Sequence, residues 1–317
     1  MKKILKKILL AILYLLLAII VFGAVLAFLP SKFKSVGITP GKAKELRHSY
    51  AGAHRQFTTS DGDTLFLRIW NPDSIAPAKK DIAVLIFSGI TAHSGAYEMA
   101  GVPISEGGYT TFGLDYRGHG LSDGKRGDSP GKERWIADLA ESVKYIKSLG
   151  YNRVVILGHS LGVAAAICAA NAVPEDISGL ILLSGAYEGK KSQAAPMPFF
   201  QKMKIMASAI FRPSFQSVEY YREGMTGYDD PLFNFRYSLR YLTMLDVKKL
   251  TIPASMNVPV LVGAGEKDEL FDVDKVKEFY DKIPGNRKEF LVMKDASHAV
   301  IPRACWEEMV AWLNRSL

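Results

Sequence analysis

The chain has 317 residues, of which 48% are hydrophobic and 23% charged, values close to the globular average and far from those of disordered or polytopic membrane chains. Its formal charge of +8 suits an anionic lipid surface, and because much of the excess lies near the N-terminus, nucleic acid is not an expected partner. Cys168 and Cys305 are the only cysteines and no C-x-x-C or Cys/His ligand spacing accompanies them, so neither a disulfide framework nor a zinc site is supported; both read as packing residues rather than as a bond or a reactive thiol.

Lys2, Lys3, Lys6 and Lys7 precede an uncharged apolar run from Ile8 to Leu29, long enough to cross a hydrocarbon core, for which about 20 residues suffice. Residues 1–30 therefore read as a basic tail and transmembrane anchor. A cleaved signal peptide is the competing reading, but its apolar stretch is normally about 7 to 15 residues, and Val25-Leu26-Ala27 is a poor cleavage site. Lys32, Lys34, Lys42, Lys44 and Arg47 nearly balance the lysines before the span. The very short basic N-tail then places the following domain on the non-cytoplasmic side. Residues 31–50, with Gly37, Pro40 and Gly41 among charges, read as a linker.

Residues 51–317 form one domain. Gln56 to Thr59 and Thr64 to Trp70 flank the turn Ser60-Asp61-Gly62-Asp63, predicting an antiparallel hairpin. Short apolar runs follow at Ile82 to Phe87, Thr110 to Leu114, Val154 to Leu157, Leu180 to Leu183, Val258 to Val262 and Glu289 to Met293, as strands buried on both faces of a parallel sheet appear. Helical patterns lie between them at Glu133 to Leu149, Leu161 to Ala172, Asp274 to Lys282 and Ala304 to Leu313. The class is α/β, a mostly parallel central sheet with helices on both faces. The rhythm breaks at about 187–252, an inserted cap. Phe199, Phe200, Met203, Met206, Ile210 and Phe211 recur there at roughly helical spacing, followed by Tyr220, Tyr221, Tyr228, Phe233, Phe235 and Tyr237; most should pack the cap, and several are candidates for an acyl-chain pocket.

Gly158-His159-Ser160-Leu161-Gly162 fits G-x-S-x-G directly after a strand and at the start of a helix, where a sharp turn exposes a strained serine above the sheet. A serine hydroxyl needs a base, and the base an orienting acid, in the chain order serine, acid, histidine. Five of the six histidines precede or adjoin Ser160, so His298, after the last strand, is the candidate base. The loop Gly263 to Glu269 offers Asp268 as the acid, with Glu266 and Glu269 as alternatives; Asp272 and Asp274 are expected to cap the next helix. Oxyanion donors are expected from the backbone N–H groups of Leu161 and of Ile90 in Ser88-Gly89-Ile90-Thr91.

With these residues the chain resembles the monoacylglycerol lipase and lysophospholipase branch of the α/β-hydrolases, grouped with the S33 serine aminopeptidases, over roughly 55–315. His93-Ser94-Gly95-Ala96-Tyr97 is similar to the family's H-S-G-x-Y segment, Asp115 to Ser122 to its D-x-x-G-H-G-x-S signature, and Asp230-Pro231-Leu232 to a D-P-L element closing the cap. The resemblance implies Ser160, Asp268 and His298 as a triad, Ile90 and Leu161 as oxyanion donors, His119 and Ser122 as loop-shaping residues, and no cofactor or metal. One departure stands out: the family's H-G pair opening the oxyanion loop is Ser88-Gly89 here.

The expectation is a serine hydrolase cleaving a carboxylic ester of a single-chain lipid, a monoacylglycerol or lysophospholipid, through an acyl-enzyme. An aminopeptidase is the alternative within the same chemistry and would need an acidic pocket, for which Glu188, Glu219, Glu223 and Asp229 are available. A catalytically silent, membrane-tethered binding protein is the third reading, against which the three intact triad candidates argue.

Overall fold

The computed structural model describes residues 2–31, 33–74, 76, 79–190, 197–221 and 224–317. Ten strands and nine α-helices are described in it, beginning with the apolar helix α1 (Lys2–Phe28) and a short α2 (Pro40–His48). The hairpin β1 (His54–Thr58) and β2 (Thr64–Trp70) follows. Then come β3 (Ile82–Phe87), α3 (Glu98–Glu106), β4 (Thr110–Asp115), α4 (Lys132–Ser148), β5 (Arg153–His159), α5 (Leu161–Ala172) and β6 (Ile177–Leu183). The cap contributes α6 (Phe199–Phe211), the two-residue strands β7 (Val218–Glu219) and β8 (Arg236–Tyr237), and α7 (Leu239–Thr243). The chain closes with β9 (Val260–Gly265), α8 (Val273–Lys282), β10 (Lys288–Met293) and α9 (Arg303–Ser316).

The eight-stranded sheet has the order β1-β2-β4-β3-β5-β6-β9-β10, with β2 antiparallel to both neighbours and every other pair parallel. Alternate side chains of one strand enter opposite layers. Val84, Ile86, Val155, Leu157, Ile181 and Leu183 meet Ile104, Trp306, Met309 and Trp312 of α3 and α9. Leu85, Phe87, Val154, Ile156, Leu180 and Leu182 meet Trp135, Leu139, Ile167, Val276 and Phe279 of α4, α5 and α8. Burial on both faces is why these strands carry continuous apolar runs.

Three local expectations differ from the structure. The segment read as a linker contains α2, whose N-cap Thr39 accepts a hydrogen bond from the Lys42 N–H at 3.1 Å and whose first residue is Pro40. Arg47 at its end is buried and donates to the Leu121 carbonyl and the Asp123 carboxylate, both at 2.9 Å, so this segment is docked on the domain. Helix α3 was not foreseen because it contains Gly101 and Pro103, both poor helix formers. Asp272 does occupy the N-cap of α8, but its side chain caps no N–H and pairs with Lys190 at 3.0 Å instead.

The hairpin turn is tied to the sheet by Arg117, which pairs with Asp61, Asp63 and the buried Asp138. Arg117→Met leaves Asp138 in the interior with Arg134 as its remaining cationic partner. The expected cost is about 3 kcal/mol of unfolding free energy, read from urea denaturation.

Candidate active site

Ser160 stands between β5 and α5 at φ 57° and ψ −117°, a left-handed conformation that costs a non-glycine residue energy and is held by the packing around it. The glycines on either side are sterically required. A Cβ on Gly158 would lie 2.2 Å from the Gly162 carbonyl oxygen, and one on Gly162 would lie 2.0 Å from that of Phe87. Gly162→Ala is expected to lower stability by about 3 kcal/mol or more, because backbone rather than a flexible side chain must yield, and calorimetry would show it.

The loops after β9 and β10 bring the other candidates together. Asp268 Oδ2 accepts a hydrogen bond from His298 Nδ1 at 3.1 Å, and Asp268 Oδ1 accepts from the backbone N–H groups of Leu270 (2.7 Å) and Phe271 (3.0 Å). Burial pushes the Asp268 carboxyl upward, but the hydrogen bond and charge of His298 and the two N–H donors outweigh it and hold it below the usual carboxylate value. The alternative carboxylates hold backbone instead: Glu269 accepts from the N–H of His298 and Glu266 from that of Asp295, both at 3.0 Å. Asp268 is the carboxylate that bonds the imidazole.

The N–H groups of Ile90 and Leu161 have no protein acceptor among the described residues. Both residues border Ser160: Ile90 and Ser160 line a cavity of about 130 Å³ together with Gly89, Tyr220 and His298. Leu161 and Ser160 line a second cavity of about 200 Å³ with Val163, Ala164, Ile167, Tyr187, Leu250, Phe271 and Phe279. Of the cap aromatics singled out as pocket candidates, Tyr220 and Phe233 line the first cavity. Phe199, Phe200, Met206 and Ile210 instead face outward.

A hydrogen-bond relay that sequence reasoning missed joins the oxyanion loop to the His298 loop. His159 Nε2 lies 3.0 Å from the His298 carbonyl oxygen, to which it can only donate. His159 Nδ1 is then the acceptor for the Tyr97 hydroxyl at 2.6 Å, and the Tyr97 oxygen in turn accepts the Gly89 N–H at 2.8 Å. The signals were the Tyr of the H-S-G-x-Y segment and the variable position of G-x-S-x-G. With Ser88 in place of histidine, its hydroxyl is buried without a partner, and tyrosines hold the loop: Tyr116 donates to the Ser88 carbonyl (3.0 Å) and Tyr237 to that of Ile90 (2.6 Å).

The remaining motif residues are structural. Asp115 accepts from the N–H groups of Ser94 (2.6 Å) and Leu121 (2.7 Å), and the Ser122 hydroxyl donates to the Asp115 carbonyl. His93 accepts the Gly95 N–H at Nδ1, so its Nε2–H donates to Asp230 at 3.1 Å, tying the D-P-L element to the H-S-G-x-Y segment and lowering the Asp230 pKa. Cys168 and Cys305 are unbridged and buried, and burial pushes the Cys168 thiol up to about 11.

His119 and His159 are both wholly buried, and desolvation lowers each to about 3, with Arg126 adding to the effect on His119 and His298 on His159. Each is neutral in the fold while an unfolded histidine protonates below about pH 6.5. The unfolded state therefore binds more protons, so stability falls as pH drops from about 6.5 toward 3, by up to about 1.4 kcal/mol per pH unit for each histidine. Urea midpoints between pH 4 and 8 test this, and a flat profile contradicts it.

A mostly parallel sheet with an antiparallel second strand, a strained serine at the β5–α5 turn and a His–Asp pair after the last two strands define the α/β-hydrolase fold. Residues 78–302 match the family model described as serine aminopeptidase, S33, and the chain belongs to that family. Its relatives include a monoglyceride lipase homolog of Monkeypox virus, 26% identical over 80% of this chain and 95% of its own length. Rattus norvegicus monoglyceride lipase is 32% identical over 39% of this chain and 40% of its own. An uncharacterized Escherichia coli (strain K12) protein, YnbC, is 25% identical over 82% of this chain, which spans only 46% of that relative's length. Among solved structures, the monoacylglycerol lipase of Paleococcus ferrophilus superposes with a TM-score of 0.60 at 19% identity, covering 80% of this chain and 99% of its own. A soluble variant of the Saccharomyces cerevisiae monoglyceride lipase, in complex with a substrate analog, superposes at 0.62 and 18% identity, covering 90% and 99%.

Proposed function

We propose that this protein is a membrane-anchored serine hydrolase cleaving the carboxylic ester of a single-chain lipid, a monoacylglycerol or lysophospholipid. The observation that carries the proposal is that Ser160 borders two cavities, one mostly apolar and one holding His298 and the oxyanion loop. His298, its Nδ1 hydrogen-bonded to Asp268, presents Nε2 as the base that takes the Ser160 proton. Oγ attacks the ester carbon, the oxyanion is met by the N–H groups of Ile90 and Leu161, and collapse expels the alcohol with the proton carried by His298. Water then clears the acyl-enzyme by the same steps in reverse. The residues themselves supply base, acid and oxyanion donors, so the proposed steps call for no cofactor.

The 200 Å³ cavity, walled by Ile167, Leu250, Phe271 and Phe279, suits the acyl chain, and the cavity with Thr91, Tyr220 and Thr226 suits the polar alcohol. The cap carboxylates considered for an aminopeptidase pocket do not supply one: Glu188, Glu219 and Asp229 line neither cavity, Glu223 lies outside the described residues, and the acid that does border the first cavity, Glu269, accepts from the His298 backbone N–H. Glu188 pairs with Lys248, and Glu219 accepts from Lys34 and Ser35. Helix α1 is the membrane anchor in this proposal, being long and apolar enough to cross a bilayer.

The test is turnover of monoacylglycerols, lysophospholipids and aminoacyl amides by one preparation. Turnover of amides in preference to every ester overturns the lipid proposal. Filling the acyl cavity with Ala164→Phe is expected to lower kcat/KM at least tenfold for long-chain esters, a loss of about 1.4 kcal/mol, and to spare butyryl esters.

A further inference from the structure

An open cleft of about 770 Å³ lies apart from Ser160 and His298, neither of which lines it. Four stretches distant in sequence wall it: residues 37–40, the pair Lys125-Arg126, residues 211–216 and the cap segment around Asn234. Its charge is one-sided. Lys125, Arg126, Arg212 and Arg236 all line it, and among the described residues no aspartate or glutamate does. A cleft walled by one sign of charge concentrates ions of the other.

The bonds these cations make leave their charge uncompensated. Lys125 Nζ donates to the Ser214 hydroxyl at 2.8 Å, and Arg126 Nη1 to the Gly120 carbonyl at 3.1 Å. Arg212 donates to the Ala27 carbonyl at 3.3 Å and lies 3.7 Å from the Phe215 ring centre. Arg236 donates to the hydroxyl of Ser35 at 3.1 Å and to its carbonyl. All of these acceptors are neutral, and among the described residues none of the four cations forms an ion pair. Arg126 is the extreme case: it is 7% exposed and its Nη2 has no partner. Burial lowers its guanidinium to about 10, although Asp115 and Tyr237 act in the other direction. Asp115 is itself engaged by the N–H groups of Ser94 and Leu121. Asn234, also buried, keeps Nδ2 unpartnered. A buried charge without a counter-charge and a buried donor without an acceptor both cost free energy, and an oxyanion entering beside them offsets both. The backbone here is closely fitted. Gly127, at φ 61°, presses on the cap so tightly that a Cβ would lie 1.8 Å from the Arg236 carbonyl oxygen and 2.6 Å from Asn234 Nδ2.

We infer that this cleft is a binding site for a phosphomonoester, distinct from the two cavities at Ser160, with Lys125, Arg126, Arg212 and Arg236 as its cations. Guanidinium groups present planar forks that match phosphate oxygens, and a lysine adds a mobile point charge. The volume of about 770 Å³ leaves room for the organic part of the ester beside its phosphate. Phe233 borders both this cleft and the cavity that holds Ser160, so the phosphate site stands one ring away from the catalytic site. The shared chemistry is the phosphate group, carried by a lipid head group or by a soluble ester. The inference depends neither on ester hydrolysis nor on α1 crossing a bilayer.

The test is titration calorimetry on the full chain in a neutral detergent, carrying Ser160→Ala so that no turnover adds heat. Glycerol 3-phosphate, dihexanoyl phosphatidic acid and dihexanoyl phosphatidylcholine are the probes, at fixed ionic strength. Two cations are removed together as Lys125→Gln with Arg236→Gln, and, as a charge-matched control, Lys275→Gln with Lys277→Gln on α8. Thermal melts establish that each variant is folded. If the Arg236 substitution unfolds the chain, Lys125→Gln alone serves, because Lys125 is exposed and its side chain bonds the Ser214 hydroxyl. The expected result is saturable one-to-one binding of at least one phosphomonoester, weakened about tenfold or more by the paired substitution, about threefold by Lys125→Gln, and unchanged in the α8 control. Tighter binding of phosphatidic acid than of glycerol 3-phosphate assigns the site to a lipid head group, and the reverse order to a soluble ester; both carry the inference. No saturable heat from either phosphomonoester overturns it. Binding that survives the cleft substitutions overturns it by placing the anion elsewhere. Equal weakening in the α8 control reduces the effect to general charge screening, and equal binding of the choline lipid assigns it to the acyl chains; each overturns the inference.

Discussion

Ser160→Ala is expected to lower kcat for ester hydrolysis by about 10⁶-fold, since losing the nucleophile of a serine–histidine unit removes nearly all that the unit contributes. The residual rate expected from binding and the proposed oxyanion donors, Ile90 and Leu161, is about 10³ to 10⁴ above water. Folding should be little affected. The bond that holds the elbow open, from the Ser160 N–H to the Leu183 carbonyl at 3.0 Å, is made by the backbone and survives the substitution. Initial rates on a monoacylglycerol, with circular dichroism on the same sample, measure both, and a loss below tenfold contradicts Ser160 as nucleophile.

Asp268→Asn is expected to cost about 10⁴ in kcat. The Asp268 carboxylate accepts from three donors: the Leu270 and Phe271 N–H groups on one oxygen and His298 Nδ1 on the other. An asparagine keeps the first oxygen and turns its NH₂ toward the imidazole, which then accepts at Nδ1 and carries its proton on Nε2, where the base must be free. Glu269→Gln is the contrast. Its side chain accepts from the His298 backbone N–H, a role an amide oxygen also fills, so a loss of about tenfold or less is expected. Because the Asp268 carboxyl is held below its usual range, it stays ionised across pH 5 to 9 and adds no step to the wild-type rate profile there. A larger loss for Glu269→Gln than for Asp268→Asn reverses the assignment of the acid.

The fold was legible in the sequence wherever one physical rule acted alone. Strands buried on both faces left apolar runs such as Ile82 to Phe87, and the glycines at 158 and 162 record backbone approaches that admit no side chain. The rule failed where tertiary contact overrode local signals. Gly37, Pro40 and Gly41 read as a linker, although Thr39 followed by Pro40 is also a helix start, and the buried Arg47 that anchors the helix looks like any linker cation. In the candidate site, chain order singled out His298 but left three carboxylates open, because the choice depends on which of them reaches the ring across the β9 and β10 loops. The Tyr97–His159 relay was illegible for the same reason: its members are 62 residues apart and only the folded sheet brings them together. The aromatics of α6 misled in the other direction, since helical spacing reports an apolar face without saying whether core, cavity or lipid covers it.

Covalent labelling of the detergent-solubilised full chain by a fluorophosphonate, with the adduct located by peptide mass, tests the serine-hydrolase proposal most directly. A single adduct on the peptide bearing Ser160, absent from Ser160→Ala and slowed strongly in Asp268→Asn, is the expected result. A folded wild-type chain that takes up no probe, or takes it up at another residue, contradicts it.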